Sequence, residues 1–183
     1  MLGEKTKKNR ARNELKIVTV RIPGAVVLKR EPSLLFTASQ VEEVLPEVEV
    51  QPLPFAAEWL LGLCAWRQQL LVVINPARLY GIQSVFSEEA DRYLVIRTAL
   101  PTGKKNLQEQ EKNIFRCILR VPNHIAAGEI PKQCTPIAAD KVGIAAASLT
   151  RGIFKHEDGL LIVPDLVSVT CSHAEANTLQ ATV

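Results

Sequence analysis

The chain has 183 residues, of which 47% are hydrophobic and only 5% aromatic, and its formal net charge is +3. That length can bury a proper core without disulfides or metal, and the shortage of aromatics leaves Val, Leu and Ile to fill it, which favours strands. The longest apolar run, Trp59 to Trp66, is too short to span a bilayer, so direct membrane insertion is not expected.

The charge is uneven. Met1 to Lys16 carries Lys5, Lys7, Lys8, Arg10, Arg12 and Lys16 against Glu4 and Glu14, and the remainder is nearly neutral. A solvated leader accounts for such a segment better than nucleic-acid binding does, so residues 1–16 read as a basic, flexible tail and no nucleic acid is expected as a partner. The leader lacks the apolar centre of a signal peptide.

Short β-like runs follow, separated by turn signals. Leu15 to Ile22 alternates weakly and stops at Pro23-Gly24; Ala25 to Leu28 and Leu34 to Ala38 are further runs around a Glu31-Pro32 loop. Ser39-Gln40-Val41-Glu42 has the form of a capping box and predicts a short helix from Gln40 to Leu45, ended by Pro46. On that helix Val41 and Val44 would share a face. Glu47 to Leu53 is extended, and Ala56 to Leu61 reads as a helical turn before Gly62. Leu63 to Trp66 and Leu70 to Ile74 form a hairpin across Arg67-Gln68-Gln69, and Asn75-Pro76 caps and starts another helical turn.

In the second half, Tyr93 to Ala99 and Ile114 to Val121 are strands, with Pro101 to Lys112 as a polar loop between them. Prolines at 122, 131 and 136 break up the next stretch, and Gly143 to Ser148 fits either strand or helix. Arg151 to Lys155 and Leu160 to Val163 flank a hairpin turn at His156-Glu157-Asp158-Gly159, Pro164-Asp165 opens a last helical stretch, and residues 172–183 form a polar tail. Gly62 to Pro76 and Gly152 to Asp165 echo each other, as two related small barrels would.

Chemistry-bearing constellations are sparse. Cys64, Cys117, Cys134 and Cys171 lie far apart, without a CxxC pair or histidines at zinc spacing, which points to a reducing cytosolic compartment. His124, His156 and His173 have no Ser or Cys in a nucleophile setting, and Glu42-Glu43 and Glu88-Glu89, being adjacent, are not expected to share a face. The reading is no catalytic residues, no metal site and no cofactor.

The order of segments resembles the CheW-like coupling proteins. Ala25-Val26-Val27-Leu28, Arg30-Glu31-Pro32, Leu34-Leu35-Phe36 and Val41-Glu42-Glu43-Val44 fall at that family's opening spacing. Pro52 to Pro54, Trp59-Leu60-Leu61-Gly62, Ala65-Trp66-Arg67-Gln68 and Leu71 to Pro76 stand for its Pro-rich segment, Gly-ended turn, Asn-Leu-Arg-Gly and Val-Pro-Val-x-Asp-Leu. Ala65 replaces the family Asn, Gln68 its Gly and Asn75 its Asp, and Leu15 to Ile22 reads as an addition before the family domain.

The resemblance implies a mainly β fold of two interlocking five-stranded, SH3-like barrels with short helices, forming one domain over residues 17–171. It implies a non-enzymatic adaptor in chemotaxis or surface-motility signalling. Its partners would be the cytoplasmic tip of a methyl-accepting chemoreceptor and the regulatory domain of a CheA-type histidine kinase. Val41, Glu43, Val44 and Arg67 are the docking residues it nominates, with Arg67 first because it interrupts an apolar stretch and can offer a planar fork to an acidic helix; Trp66, and beside it Trp59, are candidate anchors because Trp is enriched at binding hot spots, with core filling as the alternative. Competing readings are a small-molecule-binding or a nucleic-acid-binding small β-barrel.

Overall fold

In the computed structural model, residues 16–83, 91–99, 114–157 and 159–169 are described. The 101–112 loop, most of the basic leader and the polar C-terminal tail therefore lie outside the described residues, although Lys16 already belongs to the first strand.

The first half supplies β1 (Lys16–Arg21), β2 (Glu31–Thr37), β3 (Val41–Leu45), β4 (Leu60–Trp66), β5 (Gln69–Ile74) and a short helix α1 (Pro76–Leu79). The second half supplies β6 (Asp91–Ala99), β7 (Ile114–Pro122), β8 (Ile125–Glu129), β9 (Thr135–Ile137), β10 (Thr150–His156) and β11 (Gly159–Pro164), then a helical turn over residues 166–169.

Neither half forms a sheet of its own. One sheet runs β8-β1-β2-β11-β10-β9 and the other β3-β6-β7-β5-β4. Each half thus gives its first two strands to the sheet that the other half completes. The pattern repeats in detail: β2 pairs β11 in parallel as β7 pairs β5, and both closing hairpins carry a bulge, at Leu60/Gly62 and at Thr150/Gly152. Each hairpin then runs into an acidic or amide cap. Asn75 Oδ1 accepts from the Arg78 N–H, and Asp165 Oδ1 accepts from the Ser168 N–H. The echo in the sequence is therefore structural, and the fold is the expected mainly β pair of interlocked sheets, with β9 making one of them six-stranded rather than five.

Burial follows from the exchange. Leu94, Ile96, Cys117, Leu119 and Val121 point into a core shared with Val20, Leu34, Phe36, Ile153, Leu160 and Ile162 of the other sheet. Val95 and Ile118 point the opposite way, into a second cluster with Cys64, Leu71 and Val73. The middles of β6 and β7 are therefore buried on both faces, which is why Leu94-Val95-Ile96 and Cys117-Ile118-Leu119 are apolar without a break. Burial pushes the Cys117 thiol up to about 12.

Several expectations fail locally. Residues 25–28 are not a strand: Val27 and Arg30 close a two-residue turn over Leu28 and Lys29, both left-handed, and β2 begins at Glu31, taking in the expected Glu31-Pro32 loop. The capping box lies two residues early, on Thr37 and Gln40, and caps only a 3-10 turn over Ala38–Gln40; Val41–Leu45 is a strand, not a helix. Five residues with two valines gain more by pairing with β6 than a helix so short could supply. The stretch before Gly62 is a turn that enters β4 at Leu60, and residues 143–148 contribute turns and a 3-10 start. β1 is no appendage, because it pairs β2 on one side and β8 on the other.

Gly62 is the position where the backbone leaves no choice. Its φ is +147°, and a Cβ there would stand 2.2 Å from the Gln51 carbonyl oxygen, whose residue bonds Leu63 in both directions. Gly62→Ala must break that approach, and we expect a loss of about 3 kcal/mol in urea unfolding, at the upper end for an overpacked site with strained backbone.

Candidate docking surface

The five-stranded sheet ends in β3 on one side and β4 on the other. A bulge between Val41 and Glu43 shapes the first of these edges. Val41 and Val44 lie opposite Ile96 and Leu94, on the shared-core side, whereas Glu43 lies opposite Val95, on the second-cluster side. Val41 and Val44 do share a face, but through a bulged strand rather than a helix. Val41 packs against the shared core and Val44 stays 47% exposed.

The bulge has a second effect. Regular alternation would send Glu42 and Glu43 to opposite faces. Here both carboxylates reach one rim, which corrects the expectation that they would be separated. Glu42 takes a bidentate pair from Arg116, Nε to Oε2 at 2.8 Å and Nη2 to Oε1 at 3.0 Å, with Arg97 Nη1 3.6 Å from Oε1. Arg97 and Arg116 stand directly opposite each other in register. Like charges so placed repel, and the carboxylate between them removes that cost. Arg97 Nε also donates to the Ser39 carbonyl at 2.8 Å.

At the other edge, Arg67 and Gln68 form the two-residue turn of the β4–β5 hairpin, both with left-handed backbone (φ 42° and 64°). That is the turn a hairpin's twist requires, and Asn-Gly is its natural sequence. Non-glycine residues there cost roughly 1–2 kcal/mol each, so the Arg-Gln tip is held by its surroundings. Glu43 Oε2 accepts from both Trp66 Nε1 and Arg67 Nη2, each at 3.0 Å, and the Arg67 guanidinium carbon stands 4.6 Å from the Trp66 ring centroid. One carboxylate oxygen of β3 thus ties down the tip of the hairpin whose first strand is the opposite edge of the sheet. An exposed ion pair of this kind contributes at most about 1 kcal/mol, and the stacked guanidinium about as much again; the effect is to fix where Arg67 points.

Of the nominated residues, Glu43, Trp66 and Arg67 therefore meet at one rim, whereas Val41 and Val44 lie on the opposite face of β3. Glu42, Arg97 and Arg116 complete the rim and escape sequence reasoning. Arg97 and Arg116 each interrupt an apolar strand, which is a visible signal, but their register decides that they meet. Three guanidiniums against two carboxylates leave the rim positive. Trp59, the other aromatic candidate, is only half-buried and packs against the shared core, far along β4 from the rim.

A cavity of about 700 Å³ lies elsewhere, beneath the crossing from β8 to β9, lined by Ile130, Lys132, Lys155 and His156 among others; His156 Nδ1 is engaged with the Gln133 carbonyl at 3.1 Å. Among the described residues no cluster of His, Cys, Asp or Glu is placed to hold a metal ion, and no helix is long and apolar enough to cross a membrane.

Fold and rim together define a mainly β domain of strand-exchanged sheets with a charged edge, the architecture of the CheW-like class. The family model described as "CheW-like domain" matches residues 17–108, and the chain belongs to that family. The match begins inside β1, so this strand is part of the family domain rather than an addition to it. Among solved structures, the scaffolding protein TtCheW from Thermoanaerobacter tengcongensis is similar, with a TM-score of 0.60 at 18% identity, over 86% of this chain and 88% of that one. At that identity the likeness is one of fold. No curated protein matches the chain.

The hydrogen bonds from Arg116 hold the Glu42 carboxyl below its ordinary value of 4.5, against the opposing effect of burial and with help from the charges of Arg116, Arg97 and Arg67. A depressed folded-state pKa adds stability above the unfolded value and loses it as pH falls through the folded one. Chemical denaturation across pH 6 to 3 should therefore show wild type losing stability below about pH 4.5, with Glu42→Gln less stable at neutral pH and flatter over that window; parallel curves would remove Glu42 as the rim's anchor.

Proposed function

We propose that the chain is a non-enzymatic scaffold that joins the cytoplasmic tip of a chemoreceptor to the regulatory domain of a CheA-type histidine kinase, and that it works in the cytoplasm. Family membership supports the scaffold role. The observation that carries the reading is the Glu43–Trp66–Arg67 arrangement. Arg67 is exposed, yet its guanidinium is already stacked and anchored on one side, so little freedom is lost when a partner binds its remaining donors.

A receptor tip is a helical hairpin. An acidic side chain on it would meet the free edge of the Arg67 fork, forming the charge-assisted bonds that fix register. Apolar contact would come from exposed side chains, Leu70 just past the turn and, on the other face of β3, Val44. The turn fits the same role: left-handed backbone at Arg67 and Gln68 sets the direction of the tip, and Glu43 and Trp66 hold the guanidinium there.

Binding of a receptor-tip hairpin and of the kinase regulatory domain, measured separately on immobilised full chain, tests this. Wild type should retain both. Arg67→Glu should weaken the receptor tip roughly tenfold or more, and Arg67→Lys should fall between, since an ammonium keeps the charge and loses the fork. Equal binding by wild type and Arg67→Glu would reject the role given to Arg67.

A further inference from the structure

Away from the rim, residues 46–58 carry features that their structural duties do not require. The segment runs along the outer edge of β4, where Gln51 bonds Leu63 in both directions. Val48 and Val50 pack inward against the second cluster, while Glu47, Glu49, Gln51, Leu53 and Phe55 are all exposed. Pro46, Pro52 and Pro54 stiffen the segment and leave it few donors for a further strand.

Phe55 stands out by two independent measures. It is completely exposed, and its backbone is left-handed at φ 59°. Glycine or Asn suits that conformation, and a bulky side chain is a genuine outlier there. Neither burial nor local geometry rewards a Phe at this position. Within residues 46–58 the charge has one sign. Glu47, Glu49 and Glu58 are exposed, and among the described residues none forms an ion pair. Arg78, the cation bonded to this segment, engages the Glu58 main-chain carbonyl.

We propose that residues 46–58 form a docking arm that seats Phe55, with Leu53 beside it, in an apolar pocket rimmed by Lys or Arg on a folded partner domain. The acidic flank is complementary to such a rim and repels anionic lipid surfaces and nucleic acid. A projecting knob needs a pocket, and a helical receptor tip offers ridges instead. The arm and the Arg67 rim thus present opposite charges to two different partners. This rests on the scaffold reading, in which the folded partner is the kinase regulatory domain.

The test is calorimetric titration of the full chain with the kinase regulatory domain and, separately, with the receptor-tip hairpin, alongside thermal melts and sedimentation of the chain alone. The variants are Phe55→Asn and a double charge reversal, Glu47→Lys with Glu49→Lys. Both should weaken the kinase domain by roughly tenfold or more, leave the receptor tip unchanged, and Phe55→Asn should melt at or above wild type. Unchanged affinity for the kinase domain overturns the arm alone. So does a melt of Phe55→Asn far below wild type, which makes Phe55 structural, or Phe55-dependent dimerisation, which makes a second copy the occupant. Wild type that binds neither titrant brings down the scaffold reading, and the arm with it.

Discussion

A curled five-stranded sheet has two edges, and the candidate surface depends on how β3 and β4 are brought together. Two devices do it. The chain itself crosses from β3 to bond Leu63 of β4 through Gln51, an approach that only Gly62 permits. The Glu43 carboxylate then reaches the tip of the β4–β5 hairpin and accepts from Trp66 and Arg67 at one oxygen. The first fixes the backbone; the second converts that closure into an outward-facing guanidinium. The placement of the carboxylates traces back to one extra residue, the bulge between Val41 and Glu43, without which Glu42 and Glu43 could not serve the same rim.

Strand exchange between the halves gives this surface a rigid base. Because the middles of β6 and β7 are buried on both faces, the sheet that carries the rim cannot shift without disturbing the core that it shares with the other sheet. The two sheets repeat each other in pairing order, bulge and cap, yet they differ at the hairpin tips. One tip carries Arg67, stacked on Trp66 and anchored by Glu43; the other carries Glu157 beside His156, next to an open cavity. A common framework thus bears two unlike ends, and the distinction lies in side chains rather than topology.

Much of this was legible in the sequence because it is set locally. Asn75-Pro76 and Pro164-Asp165 announce their helical turns, the hairpins at Arg67-Gln68 and at His156 to Gly159 are bracketed by apolar runs, and the internal echo marks the duplicated framework. Features decided by distant partners were hidden. Val41–Leu45 has the pattern of a short helix, and only β6 makes it a strand. Glu42 looks separated from Glu43 until the bulge is known, and Arg97 and Arg116 lie on strands whose register no local signal gives. The place of β1 in the middle of a sheet depends on β8, more than a hundred residues later.

The rim formed by β3 and the β4–β5 turn is the proposed landing site of a receptor tip. Hydrogen–deuterium exchange of the full chain, with and without a receptor-tip helical hairpin, tests it most directly. Added protection is expected at residues 41–45 and 65–70, with the β10–β11 turn unchanged. Protection confined to the β10–β11 side, or spread evenly over both sheets, would contradict it.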